Sequence, residues 1–144
     1  CSTMPIFKVF NDMNELKFEL KKKIDAYYND FILAHLDKNN YLYTMSFAYI
    51  DFAIKDKNLF GALFVNEFIK TRSIEEVVHS AWNRETIEYS AQQFGITIKE
   101  SEILYRDIRF YTHGIATQIY GGNMALKEEE IQTLLKNAIN KFLK

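Results

Sequence analysis

Tyr41-Leu42-Tyr43-Thr44-Met45-Ser46-Phe47-Ala48-Tyr49-Ile50-Asp51-Phe52-Ala53-Ile54 is the stretch on which the fold turns. At helical periodicity its apolar side chains point to every side, and a helix that is apolar all round is buried all round. Asp37-Lys38-Asn39-Asn40 before it supplies turn chemistry and a ready N-cap. Asp51, Lys55 and Asp56 interrupt the run short of the roughly 18–20 apolar residues of a membrane span. The stretch therefore reads as the central helix of a helical domain.

Working upstream, Leu16, Leu20, Ile24, Tyr27, Tyr28, Phe31 and His35 recur in steps of three and four, one face of a long helix over about Met13 to Leu36. Asn11 and Asp12 are cap-type residues at its start. A short helix over Thr3 to Phe10 is predicted before it, with Ser2 as N-cap and Pro5 in the first turn, where a missing N–H costs little.

Downstream, Lys55 to Asn58 breaks the central helix and a fourth is predicted over Leu59 to Ile69. Ser73 with Glu76 forms a capping-box pattern that opens a fifth, reaching Phe94 with room for a kink, and Gly95 stops it. A sixth helix over Ser101 to Tyr120 carries Leu104, Ile108, Tyr111, Ile115 and Ile119 on one face and Tyr105, Phe110 and Ala116 off it. Gly121-Gly122 ends that helix. The last has the cleanest repeat in the chain: Ile131, Leu134, Leu135, Ala138, Ile139, Phe142 and Leu143.

Composition agrees with an all-α fold. The 144 residues are 48% hydrophobic and 26% charged, with one proline and five glycines, too few breakers for a strand-rich chain. A net charge of -1 confines any nucleic-acid contact to a local patch. The lone Cys1 cannot close an intrachain disulfide, which favours a reducing compartment, the cytoplasm. Lys8, Asn11 and Asp12 break up what would be the apolar part of a signal peptide.

The opening segment Cys1-Ser2-Thr3-Met4-Pro5-Ile6-Phe7-Lys8-Val9-Phe10-Asn11-Asp12-Met13-Asn14-Glu15-Leu16 resembles the end of the helix-turn-helix of TetR-family transcriptional regulators. A small cap residue, an aliphatic-aromatic pair at Ile6-Phe7, Phe10 and the acidic-Leu pair Glu15-Leu16 match in type and spacing. Phe47 to Ala53, His113-Gly114-Ile115-Ala116 and Glu129 to Leu135 are similar to patterns of that family's C-terminal domain. The resemblance implies two parts. Residues 1–16 are a remnant of the DNA-binding head, begun inside the recognition helix, and residues 17–144 are a ligand-binding and dimerisation domain.

Carried over residue by residue, the resemblance implies that Thr3, Met4, Pro5 and Lys8 face bases or phosphates of operator DNA, that Ser2 caps near a phosphate, and that Phe7 packs on the sugar-phosphate backbone. Phe7, Val9 and Met13 depart from the Tyr, the His or Tyr, and the Lys usual in the family, which removes three phosphate contacts. Lys17 and Lys21-Lys22-Lys23 either compensate or form a solvated helix face.

A regulator of this type is implied to be a homodimer released from its operator by a mainly apolar small molecule. Tyr43, Phe47 and Ile50 repeat at helical spacing and are expected to meet Trp82, Tyr89 and Phe110 in an aromatic pocket. Asp51 is expected either to pair with Arg109 or a cationic ligand, or to lie on the helix strip that reaches solvent. Asn83, Arg84 and Glu85 read as a charged helix surface. The sixth and last helices carry more apolar surface than one domain needs. Tyr105, Gly114, Ile115, Ile131, Leu135, Ile139 and Phe142 are therefore expected at a four-helix interface between two copies.

Catalysis has no support in the sequence. His35, His79 and His113 lack ligand spacing, Gly121-Gly122 lacks the context of a phosphate loop, and no cofactor, metal or membrane partner is expected. The competing reading is a helical carrier or scaffold that holds an apolar molecule without touching DNA.

Overall fold

A computed structural model describes residues 12–66 and 68–144. The predicted short helix and all six expected DNA contacts, Ser2, Thr3, Met4, Pro5, Phe7 and Lys8, lie outside the described residues. Those residues form an all-α fold of seven helices: α1 (Met13–Leu33), α2 (Tyr41–Lys55), α3 (Lys57–Phe64), α4 (Ile74–Val78), α5 (Ala81–Phe94), α6 (Ile98–Tyr120) and α7 (Glu128–Phe142). No helix among them is long and apolar enough to cross a membrane.

The central helix is α2, and no residue from Tyr41 to Ala53 is exposed. Two core clusters meet along it. The first joins Ile24 of α1, Ile50, Phe52 and Ala53 of α2, Phe60 and Leu63 of α3, Ala116 of α6, and Ile131 and Leu135 of α7. The second joins Leu42 of α2, Val78 of α4, Ile87 of α5, three residues of α6, and Ala138 and Ile139 of α7. Helix α1 docks by setting Tyr27, Tyr28 and Phe31 against the fully buried Phe52, with ring centroids 6.3, 5.0 and 5.2 Å away. The Tyr28 and Phe31 rings meet Phe52 edge-on, an arrangement that adds to the area they bury.

The helix ends follow local chemistry. Asp12 caps α1, its carboxylate accepting from the Glu15 N–H at 2.8 Å. Gly95 ends α5 at φ 63°, the left-handed conformation that glycine adopts without a Cβ penalty. Four expected boundaries are corrected. Helix α1 stops at Leu33, where the chain turns through His35 N–H to Ile32 C=O. Asp56 alone separates α2 from α3, so α3 begins at Lys57, and it closes at Phe64 because the Val65 and Asn66 N–H groups both donate to the Gly61 carbonyl.

The fifth predicted helix is two. Ser73 and Glu76 form their capping box on α4, but the chain extends at Ser80 (ψ 135°), and the Asn83 side chain donates at 2.7 Å to the Val77 carbonyl, which also accepts from the Ser80 N–H at 3.3 Å. Asn83 is thus buried structure, contrary to its reading as charged surface. Helix α6 starts at Ile98 rather than Ser101. Thr97 and Glu100 cap it reciprocally, and Ser101 is buried with its hydroxyl donating to the Ile87 carbonyl at 2.6 Å.

Candidate functional site

Leu42, Met45, Ser46 and Tyr49 fall at i, i+3, i+4 and i+7 on α2, one face of the helix. Tyr105, Arg109 and Thr112 fall likewise on α6, with His113 beside them. These two faces enclose a cavity of about 560 Å³, completed by Tyr28 of α1, Phe64 of α3, the 68–74 segment, and Trp82 and Asn83 of α5. That volume is within the range of about 300–1,000 Å³ typical of small-molecule sites.

Its mouth is apolar and its interior holds several polar groups. Ile69, Ile74, Trp82 and Phe110 line it while keeping about half or more of their surface exposed. Inside, the Tyr49 hydroxyl and His113 Nδ1 share a hydrogen bond of 2.7 Å. Arg109 Nη1 donates to the Tyr105 hydroxyl at 3.3 Å, and no carboxylate pairs with Arg109 among the described residues. The Thr112 hydroxyl is buried and finds no hydrogen-bond partner among them. An unpaired buried hydroxyl of this kind costs free energy.

The electrostatics follow from burial and from that one guanidinium. Burial pushes the phenols of Tyr28, Tyr49 and Tyr105 up, while Arg109 draws all three back toward ionisation. Burial, then Arg109, holds His113 below the usual imidazole range, so at neutral pH it is uncharged. Among the described lining side chains, Lys21, Lys70, Arg72, Arg106 and Arg109 are cationic and Asp25 is acidic. Asp25 is taken by Lys21 at 2.6 Å, and Arg106 pairs with Asp107 at 2.8 Å.

The six expected pocket residues do not come together. Trp82 and Phe110 line the cavity. Tyr43 and Phe47 stack on each other on another face of α2, beside a shallow groove of about 130 Å³. Ile50 is fully buried in the core and Tyr89 stacks on Tyr41 with centroids 5.0 Å apart, away from the cavity. The choice of stripe on α2 is thereby corrected: the neighbouring one faces the open space. Asp51 pairs with Lys55 at 2.9 Å and His35 at 3.2 Å, not with Arg109.

Four of the seven expected interface residues are also corrected. Tyr105, Ile131, Leu135 and Ile139 are buried within one chain, because α7 closes both core clusters. Phe142 is half exposed, and Gly114 and Ile115 are partly so. Among the described residues no group of three or more His, Cys, Asp or Glu side chains is placed to hold a metal ion. No family model matches the chain, and neither a curated protein nor a solved structure matches it.

Proposed function

We propose that the chain is the effector-binding and dimerising part of a TetR-like transcriptional regulator, a cytoplasmic repressor that leaves its operator when a largely apolar small molecule enters the cavity between α2 and α6. The observation that carries the effector half of this reading is the cavity itself, an apolar-mouthed space of about 560 Å³ inside an all-helical domain, with oriented hydroxyls at its wall. The DNA half rests on the resemblance of residues 1–16 to the end of a helix-turn-helix.

Coupling follows from where the cavity sits. Its wall includes Tyr28 of α1, the helix that leads directly out of the segment assigned to DNA reading. A ligand that favours one placement of α1 biases the spacing of two recognition helices, which must meet major grooves about 34–36 Å apart. A differential affinity of about 1–3 kcal/mol between the two states is sufficient for useful regulation. The second copy is proposed to cover the outer face of α6 that carries Ile103, Phe110 and Gly114, together with the half-exposed Phe142 of α7.

The test is mobility shift of DNA from upstream of its own gene, using a chain extended at its N-terminus to a complete helix-turn-helix and this chain as control. Retardation by the extended chain alone is the expected result. No retardation by either at low salt overturns the regulator reading and leaves the cavity to a carrier, which an overall charge of -1 equally suits.

A further inference from the structure

We infer that the cavity takes an amphipathic carboxylic acid, its carboxylate on the Arg109 guanidinium and its hydrocarbon body against Leu63, Phe64, Ile69 and Trp82. This rests on the reading of the cavity as an effector site and adds the ligand's charge and polarity. The first ground is the lining: Lys21 is taken by Asp25 and Arg106 by Asp107, which leaves Lys70, Arg72 and Arg109 as cations without an ion pair among the described residues, in a chain whose overall charge is -1. Cations gathered at a concave, low-dielectric wall raise the local concentration of anions.

The second ground is local. Arg109 holds a hydrogen bond to the Tyr105 hydroxyl but has no anionic partner among the described residues. Three residues on, one turn along the same helix face, Thr112 also lines the cavity, and its hydroxyl is closed to solvent and without a partner among the described residues. A carboxylate on the guanidinium fork gives Arg109 its anion, and a rotation of the Thr112 side chain brings its O–H to the same carboxylate. Hydrogen bonds to a charged acceptor are shorter and roughly twice as strong as neutral ones.

A monoanion also balances the interior better than a dianion. Arg109 is flanked there by neutral phenols and by an uncharged His113, whereas Lys70 and Arg72 are exposed to solvent. The planar fork of arginine matches the two oxygens of a carboxylate. The apolar body then displaces water from the aromatic wall, which a neutral molecule of equal size would do as well. The head group is therefore what discriminates.

Calorimetric titration of this chain with decanoate and with decanol separates these contributions, since the two share a chain and differ in the head. Decanoate is expected to bind at least about tenfold more tightly, from charge-assisted hydrogen bonds. Arg109→Gln is expected to abolish the preference. Thr112→Val is expected to lose affinity for decanoate several-fold while melting no lower than the parent, because it removes an unpaired buried hydroxyl. If Arg109→Gln does not fold, Thr112→Val carries the test. Equal affinity for acid and alcohol, or no binding of either, overturns the inference. Equal affinity leaves the effector cavity standing, and acid preference without DNA retardation by the extended chain overturns the regulator reading alone.

Discussion

The Tyr49 hydroxyl and His113 Nδ1 lie 2.7 Å apart, tying α2 to α6 at the wall of the cavity. Burial, and then Arg109, depress the pKa of His113, so the ring in this bond is held neutral. A histidine that is harder to protonate when folded contributes stability that is fully present above the unfolded value, about pH 6.5. That stability is lost as pH falls from there through the folded value. The melting temperature is expected to drop between about pH 7.5 and about pH 5, and to drop less in His113→Gln, which keeps an acceptor but no titration. Parallel pH profiles for the two proteins would refute the assignment.

Gly61 and Tyr120 give a second, purely steric test. A Cβ at Gly61 would lie 2.7 Å from two ring carbons of Tyr120, a ring also held by the Asn66 amide donating to its hydroxyl at 3.1 Å and packed on Phe60. Gly61→Ala is expected to cost about 1–3 kcal/mol in chemical denaturation, the usual range for overpacking. Tyr120→Ala should cost stability by itself yet remove most of the additional penalty of Gly61→Ala. Additive costs in the double-mutant cycle would mean the ring moves aside freely.

Ile50 and Trp82, both expected at the pocket, are predicted to behave oppositely. Ile50 is fully buried beside Phe52 and Leu135, so Ile50→Ala should destabilise by about 2–5 kcal/mol through the cavity it leaves. Trp82 is 49% exposed at the cavity mouth, so Trp82→Ala should change stability by no more than about 0.5 kcal/mol. Being the single tryptophan, it also reports occupancy: its fluorescence should shift on addition of a ligand that fills the cavity. A strongly destabilised Trp82→Ala, or a silent Ile50→Ala, would contradict these placements.

The contrast shows where the sequence was legible. An apolar run on all sides marked α2 as central, and the order of helices followed from periodicity and from Gly95 and Gly121-Gly122. The same all-round apolarity hid which stripe of α2 faces open space. Tyr43-Phe47-Ile50 and Leu42-Met45-Ser46-Tyr49 are equally good helical stripes, and only the placement of α6 and of the 68–74 segment selects between them. Arg109 and Thr112 carried no local signal, since what distinguishes them appears only in three dimensions: among the described residues the guanidinium has no carboxylate partner and the hydroxyl no hydrogen bond. Surplus apolar surface on α7 misled for the opposite reason: both core clusters use it, so Ile131, Leu135 and Ile139 are spent inside one chain.

What remains for a second copy is tested at Gly114. It is partly accessible in the middle of α6, and a Cβ added there meets nothing within 4 Å. In one isolated chain the β-carbon of Gly114→Leu is therefore free of clash, and the substitution gains helix propensity, roughly 0.5–1 kcal/mol for replacing a mid-helix glycine. In the proposed dimer the same glycine lies where two α6 helices approach, and a leucine side chain holds them apart. Sedimentation velocity is expected to show a dimer for the parent and a monomer for Gly114→Leu, with the helical circular dichroism of the two unchanged. A parent that sediments as a monomer, or a leucine variant that dimerises as the parent does, removes this face of α6 from any two-fold interface, because no contact within the single chain explains its glycine.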